Sequence, residues 1–263
     1  MKKFFKILLF SLITLLIYCG VLYSIQEELI FYPNKHYVSP QKKSLDMFEE
    51  KPFISHDGTK IMAWYYKGDI DKPAILFFHG NAGQIATFAP ELRLLTENNY
   101  TVFAVEIRGF AGIKGKLTQE NLFKDAAVAF DWLKKEGYKT IVVYGYSFGT
   151  SIASGLTSLR DVDGLILTSP FSSLESLVSE MPIPLAPYLL KYKLPSIKYI
   201  SQYKKPLLLI HSKKDKLIPY HHSQWLYDAC PSDHKVIHLL EKENHNTFFR
   251  NQPYILDFLK KFE

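Results

Sequence analysis

Cysteine is nearly missing from this 263-residue chain. Cys19 lies inside an apolar N-terminal run and Cys230 in the last third, so a disulfide framework for a folded domain is ruled out. No Cys/His group has zinc-like spacing. His221 and His222 are adjacent, and on the helix expected there they should point in different directions. No glycine-rich phosphate loop follows a strand, so neither a nucleotide cofactor nor a metal is expected. Basic residues do not cluster either. Lys2, Lys3 and Lys6 supply half of the formal charge of +6, and without a basic patch or a nucleic-acid motif, nucleic acid is not an expected partner. There are no internal repeats and no low-complexity tract. An apolar fraction of 47% with 15% aromatics is too high for a disordered chain.

What is present begins with Ile7–Ile25, nineteen residues without a charge, long enough to span nearly all of a hydrocarbon core of about 30 Å. Lysines precede the run, and Gln26, Glu27 and Glu28 follow it. That asymmetry predicts a single-pass anchor with the N-terminus in the cytoplasm and the folded domain on the opposite side. The alternative, a cleaved signal peptide, lacks support from a small-x-small cleavage site, and bulky Tyr18 precedes Cys19 where lipoprotein processing needs a small residue. The expected organisation is an anchor and flank over 1–28, a connector over 29–50, and one catalytic domain over 51–263. About 235 residues remain beyond the apolar segment, which suits one domain with a full core.

Short apolar runs alternate with helical segments through the domain. Strands are expected at Lys51–Ser55 and Lys60–Tyr66 around the Asp57-Gly58 turn, and at Ala74–Phe78, Thr101–Ile107, Thr140–Tyr144, Gly164–Thr168, Pro206–Ile210 and Val236–Leu240. Helices are expected from Gly83 to Asn98, from Thr118 as N-cap to Glu136, and over Phe148–Leu159, Pro219–Ala229 and Pro253–Phe262. Apolar strands alternating with helices predict an α/β fold, a mostly parallel eight-stranded sheet covered on both faces with an antiparallel hairpin at one edge. The 171–205 segment breaks the alternation with Pro182, Pro184, Pro187 and Pro195 among aromatics. It is too long for a simple connection and reads as a small cap, or else as a surface loop packed by its own side chains.

Gly145-Tyr146-Ser147-Phe148-Gly149 matches G-x-S-x-G directly between a strand and a helix, the context that distinguishes a nucleophile turn from a chance match or a plain N-cap serine. A serine hydroxyl needs a base, and this arrangement demands the chain order serine, acid, histidine. His245, just beyond the last strand, is the base candidate, whereas His234 and His238 flank or lie on that strand. Asp215 follows the Pro206–Ile210 strand and is the acid candidate. Asp228 falls within a helix, Asp233 lies at the opposite sheet end, and a surface ion pair with Lys213 or Lys216 is the ordinary alternative for Asp215. Backbone N–H groups of Phe148 and Asn81 are the expected oxyanion donors, with His79 orienting the second loop. Tyr146, Phe110 and the cap aromatic Tyr188 are the substrate-pocket candidates.

HGNAG at residues 79–83, RGFAGIKG at 108–115, GYSFG at 145–149, the Asp215 and His245 loops, and Gln26–Pro33 after the apolar run together resemble the BEM46-like group of α/β-hydrolase-domain proteins over nearly the whole chain. The resemblance implies the α/β-hydrolase fold and a serine hydrolase acting on esters or thioesters, with protein depalmitoylases and lipid hydrolases in the group. A small-molecule, lipid or acylated substrate is therefore expected. Ala111 and Ile113 stand where the group has glycine and serine, and Ser212 where it has glycine, which bears on loop shape. Peptide or amide hydrolysis on the same residues and a non-catalytic membrane-tethered module are the competing expectations.

Overall fold

The computed structural model describes residues 2–263, the side chains of 248 and 249 excepted. Helix α1 (Lys2–Ile30) leads into strand β1 (Tyr32–Pro33) and a segment that buries Leu45 and Phe48 before the sheet begins. The strands are β2 (Glu49–Ile54), β3 (Lys60–Tyr66), β4 (Ala74–Phe78), β5 (Ala82–Gly83), β6 (Val102–Val105), β7 (Ile141–Tyr146), β8 (Gly164–Thr168), β9 (Leu207–Ser212) and β10 (Lys235–Leu240). The remaining helices are α2 (Ala89–Glu97), α3 (Gln119–Lys135), α4 (Phe148–Leu156), α5 (Leu174–Ser179), α6 (Ala186–Leu189), α7 (Ser196–Ile200), α8 (His221–Ala229) and α9 (Phe248–Leu259).

Eight strands form one sheet in the order β10-β9-β8-β7-β4-β6-β3-β2, parallel except where β3 meets β2 and β6. This is the α/β-hydrolase architecture, with the expected hairpin at one edge. Alternate residues of each strand feed opposite faces, as the two-residue period of a strand requires. Leu76, Phe78, Val143 and Leu165 join a core covered by α3, α4 and α8, while Ile75, Phe77, Val142 and Ile166 join one covered by α2 and α9. Both faces are apolar because both are covered. Thr118 caps α3, its side chain accepting from Asn121 N–H, and Gly137 beyond the helix takes φ +97°.

Most strand and helix ends shift by a residue or two, and three boundaries differ by more. The segment after Gly83 begins as a 3-10 turn at Ile85–Phe88 before α2 starts. Helix α4 ends at Leu156, short of Leu159. Helix α9 starts at Phe248 and carries Pro253 inside it: a proline suits the first turn, but tertiary packing keeps the helix going at the loss of one backbone bond. Residues 171–205, the expected cap, carry the short helices α5, α6 and α7 between β8 and β9. Ala111 adopts φ +48°, keeping the left-handed backbone that glycine would favour, and donates its N–H to Asn34 O at 2.7 Å. Buried Arg108, which opens that loop, is held by Asp125 at 2.5 and 2.6 Å and by Asp57 at 2.8 Å.

At 1.5 Å per residue, the 29 residues of α1 reach about 43 Å. Length and composition suit a membrane span or a signal sequence equally.

Glu91 on α2 is buried, and neither carboxyl oxygen has a hydrogen-bond partner among the described residues. Burial pushes its carboxyl up to about 9, so it is neutral in the fold at pH 7. A carboxyl raised above its unfolded value costs increasing stability as pH climbs from the ordinary carboxylate range to about 9. Glu91→Gln keeps the shape and removes that penalty. Its stability gain in denaturant titrations should be near zero at pH 4 and grow to on the order of a few kcal/mol at pH 9.

Candidate active site

Strand β7 ends at buried Tyr146, and the chain turns at once through buried Ser147 into α4. Ser147 sits at φ +51°, ψ −116°, a conformation that costs a non-glycine residue on the order of 1–3 kcal/mol. Two glycines make the turn possible. A Cβ on Gly145 would stand 2.5 Å from Gly149 O, and one on Gly149 would stand 2.2 Å from Phe78 O. The second contact presses α4 onto the end of β4 and brings the 79–83 loop beside Ser147, where Gly80 faces the Ser147 Cβ.

His245 Nε2 lies 3.0 Å from Ser147 Oγ, and His245 Nδ1 lies 2.6 Å from Asp215 Oδ2. Asp215 is buried at the end of β9. Burial works to raise its carboxyl, but hydrogen bonds from His211 and His245 and from the Ile218 N–H outweigh this and hold it well below the usual carboxylate range. An ionised Asp215 accepts from Leu217 and Ile218 N–H at 2.8 and 2.9 Å. It is thus built into the turn and not spent on a surface lysine.

The 241–247 loop is irregular and needs tethers. Tyr146 Oη donates to His245 O at 2.9 Å and accepts from Thr247 N–H at 3.2 Å. Ser169 Oγ also donates to His245 O, at 3.2 Å, and Ser212 Oγ donates to Glu243 O. Ser212, the departure from the resembled group, therefore joins the acid loop to the histidine loop.

Phe148 is the first residue of α4, so its N–H has no intrahelical acceptor. Asn81 is fixed by its other groups: Nδ2 donates to Ile30 O at 2.7 Å, and its carbonyl accepts from Tyr32 N–H at 3.0 Å. Buried His79 lies within the loop's framework, with Nδ1 2.7 Å from Gly80 O and Nε2 2.8 Å from Glu106.

Ser147, Phe148 and Asn81 border an apolar cavity of about 320 Å³. Leu174, Leu177, Val178 and Met181 of the cap form one side, and Leu22, Gln26, Leu29 and Ile30 of α1 another. The three aromatics expected to shape the pocket do not line it. Tyr188 is 86% exposed and turned to solvent. Phe110 is buried edge-on to His79, and Tyr146 faces the 245–247 loop. What sequence reasoning missed is α1: its residues read as lipid-facing, and the interrupting Gln26 was the available signal. Gln26 is buried, donates to Leu189 O at 3.2 Å and accepts from Lys191 N–H at 2.8 Å, holding the cap to the helix. His221 and His222, expected to diverge, both reach Glu180, because that residue of the cap faces the start of α8.

A family model described as serine aminopeptidase, S33, matches residues 70–201 and 197–252. Uncharacterized protein YfhR of Escherichia coli O157:H7 is 30% identical over 230 residues, covering 83% of this chain and 80% of that protein. Among solved structures, the Pyrococcus furiosus esterase Pf2001 has a TM-score of 0.73 at 21% identity, over 88% of this chain and 98% of the esterase. A membrane phospholipase A has a TM-score of 0.68 at 17% identity, over 100% of this chain and 99% of that one.

Removing the Tyr146 hydroxyl leaves the buried Thr247 N–H without its acceptor. Tyr146→Phe is expected to cost about 1–3 kcal/mol of stability and to speed amide exchange at Thr247 more than at β7, as read by hydrogen-exchange mass spectrometry.

Proposed function

The chain belongs to the α/β-hydrolase family described as serine aminopeptidase S33, and we propose that this member is a serine hydrolase cleaving carboxylic ester or thioester bonds of lipid or acylated substrates through an acyl-enzyme. One observation carries the reading: the Ser147–His245–Asp215 hydrogen-bonded chain opens into an apolar cavity. Ser147 Oγ attacks the acyl carbon while His245 Nε2 takes its proton, and Asp215 holds the ring tautomer and stabilises the imidazolium. The oxyanion is received by the Phe148 and Asn81 N–H groups. His245 then returns the proton to the departing alcohol or thiol. Water repeats the sequence to release the acid and restore Ser147.

The family description brings amide hydrolysis forward as the second reading. The cavity argues against a peptide amine as its usual guest, since among the described residues no acidic side chain borders it to receive an ammonium group. Its volume falls within the range of small-molecule sites, and its walls suit an acyl chain. We further propose that α1 is retained as a membrane anchor, with Lys2, Lys3 and Lys6 on the cytoplasmic side and the domain on the other. The support is that Leu22, Gln26, Leu29 and Ile30 are pocket wall, which cleavage would strip away.

A fluorophosphonate probe is expected to label the full chain and to lose that labelling in Ser147→Ala, with turnover falling by about 10³-fold or more. Labelling that persists in the variant rejects Ser147 as nucleophile. Turnover of matched esters and amides separates the two hydrolytic readings.

Each methylene buried in the cavity is worth about 0.8 kcal/mol, so kcat/KM for p-nitrophenyl esters should rise up to about fourfold per added carbon and then level off. Leu177→Trp, which fills the cap side, should move the plateau to shorter chains and leave the acetate ester unchanged. A flat chain-length profile removes the acyl-pocket assignment.

A further inference from the structure

Outside the hydrolytic centre, one group of side chains has a geometry that its protein contacts do not explain. Glu180 closes α5 and faces the first turn of α8. Its Oε1 stands 3.0 Å from His221 Nε2 and 3.3 Å from His222 Nε2, and ligand atoms of the three residues all lie within 4.8 Å of one another. Around a tetrahedral cation with ligands at 2.0–2.1 Å, the ligand-to-ligand edge is about 3.3 Å. Two edges are therefore close to that length already, and the third is at most 4.8 Å, with the His221 side chain partly exposed.

His222 makes the case stronger than an ion pair would. Its ring is buried, and its Nε2 has no hydrogen-bond partner among the described residues. A Glu180–His221 ion pair alone would leave that nitrogen orphaned in the interior, an arrangement native folds avoid. On the other side of the ring, Nδ1 accepts from the Ser172 backbone N–H at 3.3 Å and lies 2.9 Å from Ser172 Oγ. A neutral ring that accepts there carries its proton on Nε2, toward Glu180; a cation bound at Nε2 takes that proton's place, and the ring then donates from Nδ1 to Ser172 Oγ. This is the outer-sphere contact that fixes a metal-binding imidazole.

We propose that Glu180, His221 and His222 bind a divalent transition cation, with solvent as the fourth ligand. Two imidazole nitrogens and one carboxylate suit zinc first among such ions, whereas calcium or magnesium would need more oxygen donors. The site has a structural consequence. Glu180 lies between Val178 and Met181, and α8 follows Leu217 and Ile218; all four border the apolar cavity. A bound cation ties the cap side of that cavity to the α8 side. The site takes no part in the bond-breaking chemistry and does not depend on the reaction proposed above.

Co2+ added to the full chain in detergent micelles, after chelator treatment, is the direct probe. The expected result is one equivalent bound with the intense visible absorption of a tetrahedral site, displaced by Zn2+. Zn2+ should also raise the Tm of the unmodified protein. Glu180→Gln alters a surface carboxylate, so the fold and short-ester turnover should survive while Co2+ affinity falls by about tenfold or more. His221→Gln should do the same and serves as the second variant. Only the pale octahedral spectrum of aqueous Co2+ at millimolar metal, or equal affinity in both variants, overturns the assignment.

Discussion

The approach of α4 to β4 at Gly149 is the contact on which the site rests. The space a Cβ would need there is taken by the carbonyl of Phe78, so the helix is seated against the strand end with nothing between. That seating forces Ser147 into its left-handed turn, points the first N–H groups of α4 at the hydroxyl's surroundings, and brings the 79–83 loop alongside. Strain at Ser147 is sustained because Gly145, Gly149 and the Ser147 N–H bond to Thr168 O, at 2.8 Å, leave the chain no other path.

The histidine lies at the opposite extreme of rigidity. It sits in a loop with no ladder of its own, and its position is specified by side chains from elsewhere: Tyr146 from β7, Ser169 after β8, Ser212 from β9. Each tether comes from the carboxyl end of a neighbouring strand, so the sheet itself sets where the imidazole can be. The residue before the serine thus serves the histidine, which explains why its ring is directed away from the cavity.

Much of this was legible in the chain. Apolar strands of four to six residues separated by helical periodicity carry the fold, because sheet burial on both faces leaves a strong signature. Ser147, Asp215 and His245 could be chosen because each follows a strand and their order is constrained. The pocket was not legible. Apolar character at Leu22 or Leu29 is the same whether the side chain meets lipid or an acyl group, and aromatic character at Tyr188 says nothing about direction. The meeting of His221 and His222 at Glu180 spans 41 positions and two elements, and local helix geometry cannot foresee it. Ala111 shows the converse: the backbone kept its left-handed turn although the residue type argued otherwise.

Asn81 is held from two sides. Its side chain grips the carbonyl of Ile30 and its own carbonyl receives the N–H of Tyr32, so the final turn of α1 and the 79–83 loop form one mechanical unit. A helix that tilts to match bilayer thickness would pass that tilt along this link without an intervening hinge. With α1 retained as the proposed anchor, the thickness of the surrounding lipid becomes a variable of the loop beside Ser147, and two membranes of different depth would present the same protein with two settings of one site.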